Sequence, residues 1–418
     1  MAEEPAVHQG TAITDGLQPG HDISCTPHND SYYATKLYSE LDPAQQQIRL
    51  VKLWPGTGND VVECTLLPEA SLLDKKGQYT APSYCAGSAK NTESIVLNGT
   101  SFNVFANLAH ALREIRHFWR STYGDRECLL WIDQISINQS DLKERSHQVR
   151  FMREIYQYAE QVLVCLSTET VDPRGMNWFL ELARDVRPRE FDMIINAEQH
   201  PSFHVFGDVS DNQECAIAID KDHQTRLWDH IWKNKRYKKF TEGWLAVYDI
   251  IEAPWFTRAW FFQEFIVAAN VYFKYSGAFA CWKTLSPLWM MIYMYQDGLV
   301  DGGRSPEMTN HPRIYGQERR NLRRVIRHVK RNEVKTAVGR MGFIIKSKAT
   351  WSGDLDLKKL LAHSCWCSTT DPRDKVFAFI GLADPAYGIL PNYSHPIDRI
   401  LIDTTTNIIQ TERSLEAL

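Results

Sequence analysis

The sequence predicts an α/β protein, a mostly parallel sheet with helices on both sides. Three observations carry this. ECLLWIDQI (127–135) and QVLVCLS (161–167) are near-continuous apolar runs, as expected of strands buried on both faces. Between them, Val149, Met152, Ile155, Tyr156 and Ala159 share one helical face. Ahead of them, Val104, Leu108, Leu112, Ile115 and Trp119 recur at helical spacing. Helix, strand, helix, strand implies parallel strands joined by right-handed crossovers, with 129–135 and 161–167 as neighbours.

The other elements follow in order. Residues 1–35 are polar, rich in Gly and Pro and without periodicity, so they read as a disordered arm. IRLVKLW, the turn PGTGND and VVECTLL read as a β-hairpin, and the Asn-Gly pair in SIVLNGTSFNVF as a second. Ser140 is placed to cap the helix that follows, with Asp141 and Glu144 at its positive end. Residues 175–187 look helical, and 188–240 look like an insertion. TEGWLAVYDII and PWFTRAWFFQEFIVAA (254–269) return to helical spacing, and VYFKYSG reads as a further strand. Residues 45–300 are taken as the main domain, with core motifs at 79–269, and 301–418 as a helical C-terminal region.

Composition narrows the function. With 47 Lys and Arg against 51 Asp and Glu, the net charge is −4, which gives no global pull toward nucleic acid or anionic lipid. The basic stretch 313–348 reads first as a solvated helix face. The start MAEEPAVHQG lacks the basic-then-apolar order of a signal peptide, and no apolar run is long enough to span a bilayer. A cytoplasmic protein with reduced thiols is expected, and the nine irregularly spaced Cys agree. His363, Cys365 and Cys367 form an HSCWC cluster, but a metal would need a fourth ligand and wider Cys spacing, so no metal is expected.

Nucleotide and hydrolase signatures such as GxxxxGK[ST], GxSxG and HExxH are missing. Three segments stand out instead. In LLWIDQISINQ a buried strand ends in Asp133, and Asn138 and Gln139 follow in a polar turn. Ligands collect outside the carboxyl ends of parallel strands, which would make these residues a binding edge. The plainer alternative is that Asp133 and Asn138 satisfy loop amides. In PWFTRAWFFQEF, Trp260 and Glu264 lie four apart on one helix face. A carboxylate beside aromatic rings can serve acid–base chemistry or stabilise a cationic transition state; equally, Glu264 can pair with a basic neighbour. In TDPRDKVFAFIGLA, Asp371 and Arg373 read as the cap of a buried helix.

Taken together, IRLVKLWPG, YTAPSYCAG, NLAHAL, LWIDQISINQSDLKERSHQV, IYQYA, VLVCLS, WFTRAWFFQE and DPRDKVFAFIGLA resemble, in order, the heterokaryon-incompatibility (HET) family of filamentous fungi. The resemblance covers about residues 48–393. The sequence departs from the family pattern at Pro82, Ala86, Ser136 and Cys165, where the pattern has Leu, Trp, Cys and Trp. HET domains are in turn remotely similar to TIR domains, a flavodoxin-like fold that can cleave NAD. The TIR pattern places a catalytic Glu four residues after a Trp, and Trp260 and Glu264 reproduce that spacing. Ser83 and Tyr84 would match its first strand, and Trp131–Asp133 its second.

The resemblance implies a cytoplasmic module of nonself recognition and programmed cell death that acts through a protein partner or self-association, with no cofactor required. It also implies an enzyme alternative with NAD as substrate. There Glu264 would be catalytic, and Trp260, Asp133, Ser83, Tyr84, Asn138 and Gln139 would hold the dinucleotide. An intact pocket around Glu264 would favour the enzyme; a Glu264 buried against Arg258 or another cation would favour the module without chemistry.

Overall fold

The computed structural model describes residues 29, 38–58, 60–169, 174–185, 238–285, 289, 292 and 316–413. The stretches 1–28, 30–37 and 188–237, and with them most of the expected arm and insertion, lie outside the described residues. Asn29 departs from the arm expectation: it is buried, and its side chain exchanges hydrogen bonds of 2.6 and 2.8 Å with the Asn103 backbone.

In chain order the strands are β1 (Gln47–Leu53), β2 (Glu63–Ser71), β3 (Thr80–Tyr84), β4 (Thr92–Leu97), β5 (Thr100–Phe105), β6 (Cys128–Leu130), β7 (Gln161–Cys165), β8 (Val271–Tyr275) and β9 (Ala278–Cys281). The helices are α1 (Ala106–Tyr123), α2 (Asp133–Ser136), α3 (Leu142–Arg150), α4 (Met152–Tyr158), α5 (Arg174–Asp185) and α6 (Lys238–Ile251). They continue with α7 (Phe261–Ile266), α8 (Gly316–Val329), α9 (Asn332–Ala349), α10 (Leu357–Ser364), α11 (Asp374–Ile380) and α12 (Ile397–Glu412). Among the described residues, no helix is long and apolar enough to cross a membrane.

Among the described residues, these nine strands form one sheet, ordered β5-β4-β2-β1-β6-β3-β7-β8-β9. Both predicted hairpins are present: β1 pairs antiparallel with β2, and β4 with β5. Asn98 and Gly99 both have positive φ, 52° and 76°, as the two-residue turn of a twisted hairpin requires. The sheet is mixed rather than mostly parallel. β2–β4, β3–β6, β3–β7 and β7–β8 run parallel, while β1–β2, β1–β6, β4–β5 and β8–β9 run antiparallel. Short turns can join only antiparallel strands, and they supply both ends of the sheet.

The strands around 129 and 161 are not neighbours as expected. β3 lies between β6 and β7 and pairs parallel with each, over its whole length with β7. Consecutive strands are more often neighbours, but the crossover through α2, α3 and α4 is long enough to pass one intervening strand, and here it does. β6 is also shorter than its apolar run. It ends at Leu130, and the chain turns into the single turn α2, where Ser136 Oγ accepts from the Ile132 amide at 3.0 Å.

That early end explains Pro82. In a strand, alternate residues face the same neighbour. Thr80 accepts from Trp131 N on the β6 side at 3.0 Å, so Pro82, two residues on, points to the same side after β6 has ended. The missing proline N–H therefore breaks no ladder bond, and the Pro82 carbonyl takes the Tyr156 hydroxyl at 3.2 Å instead.

Helices cover both faces. Leu163 and Cys165 of β7 pack with α1 through Leu108, Leu112, Ile115 and Trp119. Val162 and Val164 face the other side, onto α4, α6, α7 and α9 in one continuous core. α5 and α6 touch through two glycines: a Cβ on Gly175 would lie 2.3 Å from the Ala246 carbonyl oxygen, and one on Gly243 would lie 2.5 Å from the Trp178 ring. Two local expectations change. Asp141, not Ser140, caps α3, accepting from the amides of Lys143 and Glu144. The 254–269 stretch is not one helix but a 3-10 turn (Pro254–Thr257), extended Arg258 (φ −69°, ψ 151°) and then α7.

Candidate functional site

A cleft of about 350 Å³ opens beyond the carboxyl ends of β3 and β6. β6, β3 and β7 run parallel here, and ligands commonly bind beyond the carboxyl ends of parallel strands. Tyr84 ends β3, and the loop Cys85–Gly87 continues it along the cleft. Asp133, Gln134 and Gln139 come from α2 and the turn after it. Thr257–Trp260 form the approach to α7, and Arg145 and Met152 come from α3 and α4. The far bank is the segment Ser368–Asp371 with Asp374 and Tyr393.

Each polar group is held from behind. Asp133 Oδ1 accepts from the Tyr84 hydroxyl at 2.9 Å and from Gln134 N at 2.8 Å, and the Asp133 carbonyl takes the Gln139 amide at 2.7 Å. Burial, and the negative Asp133 beside it, raise the Tyr84 hydroxyl well above its ordinary pKa, so it stays a donor. On the far bank, Arg373 forks onto Asp371 at 2.7 and 2.9 Å. Arg145 lies 3.8 Å from Asp371 and 4.0 Å over the Tyr393 ring. The Tyr393 hydroxyl donates to Asp374 at 2.6 Å. Burial raises the Asp374 pKa against that bond and the Arg145 charge.

Glu264 sits behind the cleft wall. It is 2 % exposed and is not part of the lining. Arg258 donates to its two carboxylate oxygens at 3.1 and 3.2 Å, Ser83 Oγ donates to one of them, and Trp255 donates to Ser83 Oγ at 2.7 Å. Burial raises the Glu264 pKa, while Arg258 and Ser83 hold it back. Burial opposes the Arg258 charge most strongly of any single cause, but Glu264, Cys85 and Asp133 together outweigh it and raise the Arg258 pKa. Arg258 itself lines the cleft, 17 % exposed, so the wall in front of Glu264 is a guanidinium.

The structure thus brings Asp133, Tyr84, Gln139 and Trp260 to one cleft and leaves Glu264 and Ser83 beneath it. Asn138 is not among the lining residues: its Oδ1 accepts from Ser140, and its amide donates to Glu144. Ala86, where the resemblance expects Trp, lines the cleft with a small side chain. Sequence reasoning missed Arg145, Asp374, Tyr393 and the far bank. The DPRDK block was visible, but only as a helix cap. Of the HSCWC cluster, His363 and Cys367 are buried while Cys365 and Trp366 are exposed: His363 stacks on Phe343 at 4.3 Å, and the Cys367 thiol donates to the His363 carbonyl. Among the described residues, no group of three or more His, Cys, Asp or Glu side chains could hold a metal.

Residues 79–264 match the family described as Heterokaryon incompatibility protein (HET). This stretch resembles a HET domain. Over 403 residues the chain is 27 % identical to Heterokaryon incompatibility protein 6, OR allele, of Neurospora crassa. That similarity covers 91 % of this chain and 55 % of the relative, so the chain spans about half the relative's length. No solved structure matches the chain. The family match stops at Glu264, yet the cleft takes its far bank from Ser368–Asp371, Asp374 and Tyr393. The matched stretch and the C-terminal segment are also tied by a parallel bridge between Arg258 and Ser368.

Proposed function

We propose that this chain is a cytoplasmic signalling module of fungal nonself recognition, acting in heterokaryon incompatibility by binding rather than by chemistry. The cleft receives its ligand, the module associates with a protein partner or with itself, and the output is programmed cell death. The HET domain and the Neurospora relative support the setting. One observation carries the choice against chemistry: the Glu264 carboxylate is engaged by Arg258 and Ser83 and lies outside the cleft lining. A carboxylate that must meet a developing ribosyl cation needs to face the substrate.

A second reading keeps a specific observation of its own. Trp260, Asp133, Tyr84 and Gln139 share one cleft at the edge where parallel sheets hold nucleotides, which favours a TIR-like NAD glycohydrolase with NAD as substrate. Incubating the purified chain with NAD and assaying free nicotinamide separates the two. No release above the buffer rate is expected, and cell killing should persist in a folded Glu264→Gln protein. Release that Glu264→Gln abolishes would overturn the binding reading.

A further inference from the structure

α8 carries a charge pattern that the cleft does not use. Arg319, Arg320, Arg323, Arg324 and Arg327 are all exposed. At helical periodicity they fall within a sector of about 140°. Gly316 is the other residue of α8 in that sector. The opposite side is anchored: Asn321, Val325 and Val329 are buried, and His328 meets Glu252 at 3.2 Å. Arg320 bonds to Gln317, and among the described residues Arg319, Arg323, Arg324, Arg327 and the following Lys330 have no carboxylate within ion-pair distance. Structural ion pairing therefore does not account for the ridge.

We propose that this arginine ridge docks an acidic helical segment of a partner protein, one with carboxylates at i, i+4 spacing. The five arginines form two rows, 319/323/327 and 320/324, with neighbours one helical turn apart. Carboxylates at the same spacing on a second helix meet them row to row, and each guanidinium can take a carboxylate with two donors. Charge distribution sets the size of the partner. Residues 316–335 hold eight of the 47 basic and two of the 51 acidic residues, which leaves 39 basic against 49 acidic elsewhere. A long polyanion would run onto that negative body. The ridge spans about 12 Å from Arg319 to Arg327, the length of about four base pairs but also of a two-turn helix face. The arginine sector contains no aromatic side chain to stack bases and no apolar side chain to enter a membrane.

The surface is separate from the cleft, so it stands or fails independently of the function proposed above. The test is fluorescence anisotropy of the full chain with a labelled Glu-rich helical peptide bearing Glu at i, i+4. A peptide with Gln at those positions, a short DNA duplex and phosphatidylserine vesicles serve as comparisons at equal ionic strength. The Glu peptide is expected to bind more tightly than all three. R323E/R327E, both at exposed positions, should weaken it about tenfold or more with unchanged melting. Tighter binding of the duplex or the vesicles, equal binding of the Gln peptide, or indifference to R323E/R327E would each overturn the proposal.

Discussion

Arg258 reaches Glu264 across a break in the backbone, six residues apart, with bonds of 3.1 and 3.2 Å to its two carboxylate oxygens. A continuous helix would have pointed these side chains apart. Extended Arg258 folds the guanidinium back over α7. A catalytic carboxylate is expected to be dispensable for stability, and this one should not be. Arg258→Met strands a buried charge and should cost about 3–5 kcal/mol. Glu264→Gln should cost less, about 1–3 kcal/mol, because the guanidinium keeps some contact with the cleft. Urea unfolding of both variants checks the order; equal stability of Arg258→Met and wild type would remove the structural role.

His363 supplies a pH dependence. Burial among Phe262, Phe343 and Phe379, with Arg340 adding repulsion, lowers its pKa to about 4. The unfolded chain takes up the proton near pH 6.5 and the folded chain only near 4, so the unfolded state binds more protons between these values. Stability attributable to His363 is full above about pH 6.5 and falls as the pH drops toward 4, by about 3 kcal/mol. Comparing urea midpoints of wild type and His363→Leu at pH 7 and pH 4.5 should show a flatter profile in the variant.

Lys348 of α9 closes the C-terminal end of α7. Its ammonium donates to the carbonyls of Phe265, Ile266 and Ala268 at 2.8, 3.3 and 2.6 Å. Burial pushes its pKa down to about 7, but three convergent carbonyls favour the charged form. Lys348→Met should leave these acceptors unmet and cost about 1–3 kcal/mol, with amides of α7 losing protection first in hydrogen exchange.

The two contact glycines should differ. Alanine at Gly175 meets the Ala246 backbone carbonyl, which cannot move without shifting α6, whereas alanine at Gly243 meets the Trp178 side chain. Both should destabilise by about 1–3 kcal/mol, Gly175→Ala more. The reverse order in thermal melts would show that the helices slide instead.

Much of the fold was legible because it is local. The Gly-rich turn after Trp54, the Asn98–Gly99 pair and the apolar periodicity of α1 each fix their element within a few residues. Strand order was not, since β3 slides between β6 and β7 through pairings that no short stretch encodes. In the site, Asp133 and Trp260 were found because they end or flank apolar runs. The Arg258–Glu264 pair was open as an alternative, since a buried carboxylate seeks a basic neighbour, but the extended Arg258 that makes it was not foreseen, because i, i+4 reasoning assumes the helix that Arg258 interrupts. Tyr393, more than 100 residues beyond Glu264, carries no spacing signal linking it to Asp133, yet both line the same cleft.

That shared cleft bears on what a minimal fragment would measure. A polypeptide trimmed to residues 79–264 would end at a carboxylate that the full chain keeps buried, and it would lack the segment facing Asp133. The trimmed piece would also lose β1 from beside β6, β2 from beside β4 and β8 from beside β7, exposing three fresh strand edges. Silence or stickiness in such a fragment would describe a cut surface, not the recognition behaviour of the intact chain.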